Sequence, residues 1–155
     1  AAGLLLGQYN STVGYIQAPA SGQVEIWNSS TTGIAIFKND GTFQMNSGYG
    51  STATAYGCRA WVNFNGTGTV AIRASGNVSS ITDNGTGDYS INFSTALPDA
   101  NGNIVGTATH ANGSYASYVL VDNNNTPLTT ARARINTLNP SSFVDPSYVN
   151  VSVFR

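Results

Sequence analysis

Apolar and polar residues alternate with a period of two along most of this chain, the pattern of β-strands with one face buried and one face wet. Gln23-Val24-Glu25-Ile26-Trp27 is one such run and Ile34-Ala35-Ile36-Phe37 another. Lys38-Asn39-Asp40-Gly41 then leads into Thr42-Phe43-Gln44-Met45. Asp-Gly tolerates positive φ, so this segment predicts a hairpin. Strands over 58–64 and 69–74 flank Asn65-Gly66-Thr67-Gly68 as a second hairpin. Strands over 78–81 and 88–93 flank Asp83-Asn84-Gly85-Thr86-Gly87 as a third. In 88–93, Tyr89, Ile91 and Phe93 share one face, while Asp88, Ser90 and Asn92 take the other, so the strand is expected to be half buried.

Further strands are predicted over 104–110, 115–121, 128–135 and 148–154. In the last, Val149, Val151 and Val153 alternate with Tyr148, Asn150, Ser152 and Phe154. Both faces carry large apolar groups, which predicts a strand covered on both sides, in a sandwich centre or at a subunit interface. Glu and Lys occur once each, as Glu25 and Lys38, so an amphipathic helix has little to be written with. The fold class predicted is all-β: an antiparallel β-sandwich of jelly-roll or Greek-key type over 57–155. A short β-hairpin shaft or neck segment precedes it over 1–56. The Gly/Ser/Thr-rich stretch 46–57 is read as a linker or surface excursion. Trp27 is expected to pack in the shaft, and Trp61, mid-strand, in the core or at an interface.

Composition narrows the function classes. Charged residues make up 8% of the 155, against roughly 25% in an ordinary domain. The net charge is −1, from six basic and seven acidic residues. Phosphate recognition needs clustered Lys and Arg, so nucleic acid is not expected as a partner. Leu4-Leu5-Leu6 is far short of the roughly 20 apolar residues of a spanning helix, and no membrane insertion is expected. Eight Tyr, six Phe and two Trp supply enough apolar surface for collapse. Asn, Ser, Thr and Gly take the place of charge; such a surface is little affected by salt and suits an extracellular setting. The lone Cys58 permits neither an internal disulfide nor a Cys-based metal site, and is read as a packed thiol. No charged region precedes an apolar run at Ala1, and the chain reads as an excised segment of a longer polypeptide.

A glycan-cleaving site would need two carboxyl groups roughly 5 to 9 Å apart across a cleft. Asp40, Asp83 and Asp122 stand beside Asn or Gly, and Asp99 and Asp145 adjoin Pro, all turn sequences in which Asp caps backbone. Asp83 and Asp88 flank one hairpin turn, where both are expected to face water. His110, the single histidine, lacks a nucleophile elbow, and Gly66-Thr67-Gly68 lacks the Lys and helix of a phosphate loop. No catalytic residue, metal ligand or cofactor is therefore assigned. Recognition of saccharides uses aromatic faces with Asn, Asp and backbone groups. Such residues concentrate at His110, Asn112, Tyr115 and Tyr118, and again at Asp122, Asn123 and Asn124. Loops on a rigid sandwich are the usual place for recognition, so these seven are the candidate receptor- or glycan-binding residues.

The stretch from Arg59 to Phe93, RAWVNFNGTGTVAIRASGNVSSITDNGTGDYSINF, resembles a segment recurring in tail fibre and tail-associated proteins of marine and other bacteriophages. TALPDAN over 95–101 and DPSYVNVSVFR over 145–155 are similar to the C-terminal region of the same family. IAIFKNDGTFQM resembles the short β-repeats that precede such domains in fibre shafts. The likeness spans most of the chain and is most specific between Arg59 and Phe93. The chain departs from it in having Gly102-Asn103-Ile104 where a tyrosine is usual.

The resemblance implies a virion component outside the cell. It would be a homotrimer that also meets other tail proteins, placed at the C-terminal end of its fibre. The expected function is host attachment through a bacterial surface glycan or outer-membrane receptor. Three alternatives stand beside it: a structural trimerisation or connector module of a tail, neck or head fibre, a glycan-cleaving tip, and a secreted carbohydrate-binding module.

Overall fold

The computed structural model describes residues 5–10, 13–17, 21–27, 33–48, 50–110, 116–122 and 126–155. Every regular element among them is a strand, and every pairing is antiparallel. The chain separates into two compact units, Ala1–Ala55 and Tyr56–Arg155.

In the first unit, β1 (Leu5–Asn10) and β2 (Val13–Gln17) form a hairpin. Strands β3 (Gln23–Trp27), β4 (Gly33–Lys38), β5 (Phe43–Met45) and β6 (Ala53–Thr54) form a four-stranded meander. The predicted Asp-Gly turn closes β4 onto β5. Gly41 has φ 81°, and the Asp40 carboxylate accepts from the Thr42 amide at 2.8 Å. The Gly/Ser/Thr-rich stretch is not wholly linker, because Ala53 and Thr54 pair with β5. Among residues 16, 21–27, 35–48 and 50–55 of this unit, none is buried. Phe37 and Phe43 stack at 4.9 Å yet are 51% and 37% exposed, and Ile26, Trp27 and Met45 are also exposed.

The second unit contains β7 (Cys58–Asn65), β8 (Ala71–Gly76), β9 (Val78–Gly85), β10 (Asp88–Phe93), β11 (Asn103–Thr109), β12 (Ala116–Val121), β13 (Arg132–Leu138) and β14 (Tyr148–Phe154). They make one sheet in the order β8-β7-β14-β11-β12-β13-β10-β9. β11, β12 and β13 follow one another and β14 returns beside β11, which is a Greek key. The sheet folds over so that β8-β7-β14-β11 and β12-β13-β10-β9 share one core. Phe64, Tyr89, Ile91, Ile135, Val149 and Val153 are buried there, with Phe64 and Tyr89 edge to face at 5.1 Å.

Period two sets this core. Tyr89, Ile91 and Phe93 turn inward as predicted, and so do the three valines of β14. The unusual Gly102-Asn103-Ile104 segment still enters a strand, since Asn103 opens β11 opposite Phe154.

Four expectations need correction. The strand predicted over 128–135 begins at Arg132 instead. The Thr129 hydroxyl accepts from the Ala131 and Arg132 amides, reversing the chain so that Leu128 bridges back to Ala133. The outer face of β14 is open within the chain, with Tyr148 44% and Phe154 37% exposed, which corrects the sandwich-centre placement and leaves the subunit-interface one as an expectation. Trp61 is outside the chain's own core, because Ala60 and Val62 point inward, so Trp61 points out and is 44% exposed; of its two expected places only the core is corrected. Cys58, read as packed, is exposed at the start of β7.

Candidate site: a polar cleft on the outer face

The outward side chains of β13 and β10 are polar, and they converge. Antiparallel register places Asp88 opposite Asn136 and Ser90 opposite Arg134. On the other flank Leu120 lies opposite Asn136, and the Asp122 amide bonds the Arg134 carbonyl. Arg134 thus sits between two carboxylates. Its Nε and Nη2 donate to Asp88 Oδ1 and Oδ2 at 2.9 and 2.5 Å, and Nε is 3.3 Å from Asp122 Oδ2. Asn84, near the end of β9, donates to Ser90 Oγ at 3.0 Å and to Asp88 Oδ1 at 3.3 Å.

Asn84, Asp88 and Asp122 line a cavity of about 240 Å³ together with Gly85, Thr86, Asn136 and Phe143, with Arg134 held against the two aspartates. Phe143 is 52% exposed and supplies an aromatic wall, held in place by the Leu138–Phe143 bridge. Gly87 lies beside it. With φ 67°, and with Thr137 O only 2.4 Å from where a Cβ would stand, no other residue fits without displacement. The turn is tied down from within the unit. Asp145 Oδ1 accepts from the Gly87 amide and from the Tyr89 phenol, each at 2.7 Å.

The electrostatics fix the protonation states. Hydrogen bonding from Arg134 holds the Asp88 carboxyl below its usual range, outweighing its partial burial, and the same contact raises the guanidinium. Burial, then the neighbouring Asp145, pushes the Tyr89 phenol up. The cleft presents the Asp88 carboxylate, the Asp122 side chain, the amides of Asn84 and Asn136 and one aromatic face. A glycosidase requires one carboxyl kept protonated, and Asp88 is held the opposite way. The arrangement suits holding a hydroxylated ring: donors and acceptors reach its edge while Phe143 covers its face.

Of the residues selected from sequence, Asp122 lines this cleft, though as a residue 3% exposed and paired with Arg134 rather than at a loop tip. Tyr118, 51% exposed, lies opposite Leu138 on the same outer face. His110 is half buried just past β11. Asn112, Tyr115, Asn123 and Asn124 lie outside the described residues. Tyr118 lies within β12 and Asp122 directly follows it.

Sequence reasoning missed Asn84, Arg134, Asn136 and Phe143, and took Asp88 as water-facing. The usable signal was the alternation Arg132-Ala133-Arg134-Ile135, which places a guanidinium on the outer face next to whatever strand pairs there. No family model matches the chain, and no curated protein or solved structure matches it.

Proposed function

We propose that this chain is a non-catalytic component of a bacteriophage tail fibre that attaches to a host-surface glycan, with the cleft on β10 and β13 as its sugar-binding site. The observation that carries the adhesive part is the convergence of Asp88, Asp122, Asn84 and Asn136 on a cavity walled by Phe143. Its volume suits one or two sugar rings. With Asp88 and Asp122 on its wall and no basic residue among the described residues that line it, it favours neutral or amino sugars over acidic ones. The fibre part rests on the resemblance carried by residues 59–93.

Assembly as a homotrimer is supported by the first unit, whose sheet leaves Phe37, Phe43, Ile26 and Trp27 uncovered within one chain. A strand face of that composition gains stability only when other copies cover it. Trimers also raise avidity, so that each cleft can be weak while the particle stays attached.

The experiment that tests the reading is binding of the full chain to an array of bacterial O-antigens and capsular polysaccharides. Binding to a discrete subset containing neutral or amino sugars is expected. Absence of binding across such an array, or equal binding to all of it, contradicts the reading.

A further inference from the structure

The opposite half of the second unit carries a different surface. On β7, Trp61 and Asn63 face outward; on β14, Tyr148, Asn150 and Ser152 do so, with Trp61 opposite Ser152 and Asn63 opposite Asn150. Trp61 lies on Gly76 of the neighbouring strand. A Cβ at that position would stand 2.4 Å from the indole Nε1 and 2.9 Å from Cδ1. The missing side chain lets the indole pack against the Gly76 backbone while remaining 44% exposed. Tyr148, 44% exposed, is fixed by the Arg73 guanidinium 4.3 Å from its ring centre, and Arg73 is fixed in turn by the Ser147 carbonyl at 2.6 Å. The two aromatic positions are about 13 Å apart by strand rise.

Between them runs a row of amides. Asn63 Nδ2 donates to Asn150 Oδ1 at 2.6 Å, and Asn150 Nδ2 is 3.4 Å from Thr107 Oγ1 on β11. Each side chain is positioned by its neighbour and keeps donor or acceptor capacity toward solvent. Arg73 marks one end of the strip, and exposed Arg59, two residues before Trp61, marks the other. None of the residues just named is acidic.

We propose that this strip is a second glycan site, distinct from the cleft, which binds an extended acidic polysaccharide, its rings lying on Trp61 and Tyr148 and its carboxylates meeting Arg59 and Arg73. The inference rests on the adhesive reading but not on the cleft. A second copy of the chain is the competing occupant. The amide row disfavours it, because an apolar partner would leave these groups buried and unpaired, whereas sugar hydroxyls donate and accept.

The test is affinity electrophoresis of the full chain in gels containing alginate, polygalacturonate or neutral dextran, with solution mass measured in parallel. Retardation by the two polyuronates and not by dextran is expected, weakening with salt. Trp61→Ala removes one stacking face and should weaken retention by about tenfold. Gly76→Ala, which lifts the indole, and Asn150→Asp, which adds a repelling charge at nearly constant size, should each weaken it with the fold intact by circular dichroism. Phe143→Ala should leave it unchanged, so failure of the cleft and failure of the strip are separable. No retention by either polyuronate, equal retention by dextran, or unchanged retention in both Trp61→Ala and Asn150→Asp overturns the proposal. A fall in solution mass with Trp61→Ala also overturns it and makes the face an interface between copies.

Discussion

Arg134 Nε lies 3.3 Å from Asp122 Oδ2, and this contact places a carboxylate with 3% exposure on the wall of a surface cleft. The aspartate directly follows β12 and the arginine is the third residue of β13, so the pair also ties these two strands of the Greek key together. Asp122→Ala would strand the guanidinium beside Asp88 alone. Arg134 is about a quarter exposed, so the cost is discounted from that of a fully buried pair to about 2 kcal/mol. Urea unfolding of the variant should show a lowered midpoint with an unchanged slope. No shift in midpoint would mean that the pair is incidental.

Tyr89 and Asp145 should contribute a similar amount on the core side of the Gly87 turn. The phenol is 2.7 Å from the carboxylate and 3.2 Å from the Gly66 carbonyl. Tyr89→Phe keeps the ring against Phe64 and removes only the donor, leaving buried acceptors short of a partner. A loss of about 1–3 kcal/mol is expected in urea unfolding. A neutral outcome would show that water replaces the hydroxyl.

Two glycines of the same unit separate backbone strain from crowding. Gly68 has φ 66° with open space around it, whereas Gly87 has φ 67° with Thr137 O in the way. Gly68→Ala should cost about 1 kcal/mol from conformation alone. Gly87→Ala adds overpacking and should cost about 3 kcal/mol. Equal losses would rule out crowding at Gly87.

Asp99 gives a pH signature. Hydrogen bonding from Arg155 brings its folded-state pKa down to about 2. A depressed carboxylate stabilises the fold above its unfolded value near 4, and that contribution is lost as pH falls toward 2. Asp99→Asn should therefore be less stable than the parent at pH 7, with the difference in Tm shrinking between pH 4 and pH 2. A constant difference across that range would place its origin elsewhere.

The fibre reading predicts a solution mass three times the 16.1 kDa of the chain, by light scattering behind a sizing column. Phe37→Asp, in the uncovered stack of the first unit, should shift that mass toward one chain. A wild-type monomer would favour the secreted binding-module alternative.

What could be read from the sequence follows the range of the interactions involved. The inward faces of β10 and β14 were legible because alternation is local, and so was the Asp40-Gly41 turn. The direction faced by Trp61 was legible in parity, since Ala60 and Val62 flank it, but the weight of an indole argued for the core; Gly76, 15 positions away, decides otherwise. The cleft was not legible. Asp88 and Arg134 are 46 residues apart and meet only because β10 pairs with β13, a neighbour that strand patterns do not specify. Asp122 was selected for its Asn-rich surroundings, whereas in the structure it sits beside Arg134.

The most direct test of the central claim is the affinity of Phe143→Ala for whichever polysaccharide the parent chain binds on the array, measured by calorimetry with Tm as a control for folding. Phe143 is half exposed and bonds nothing through its ring, so the fold should survive its loss. Binding weakened by about tenfold or more, with Tm within a few degrees of the parent, is expected. Undiminished affinity would contradict it and remove the cleft from the attachment surface.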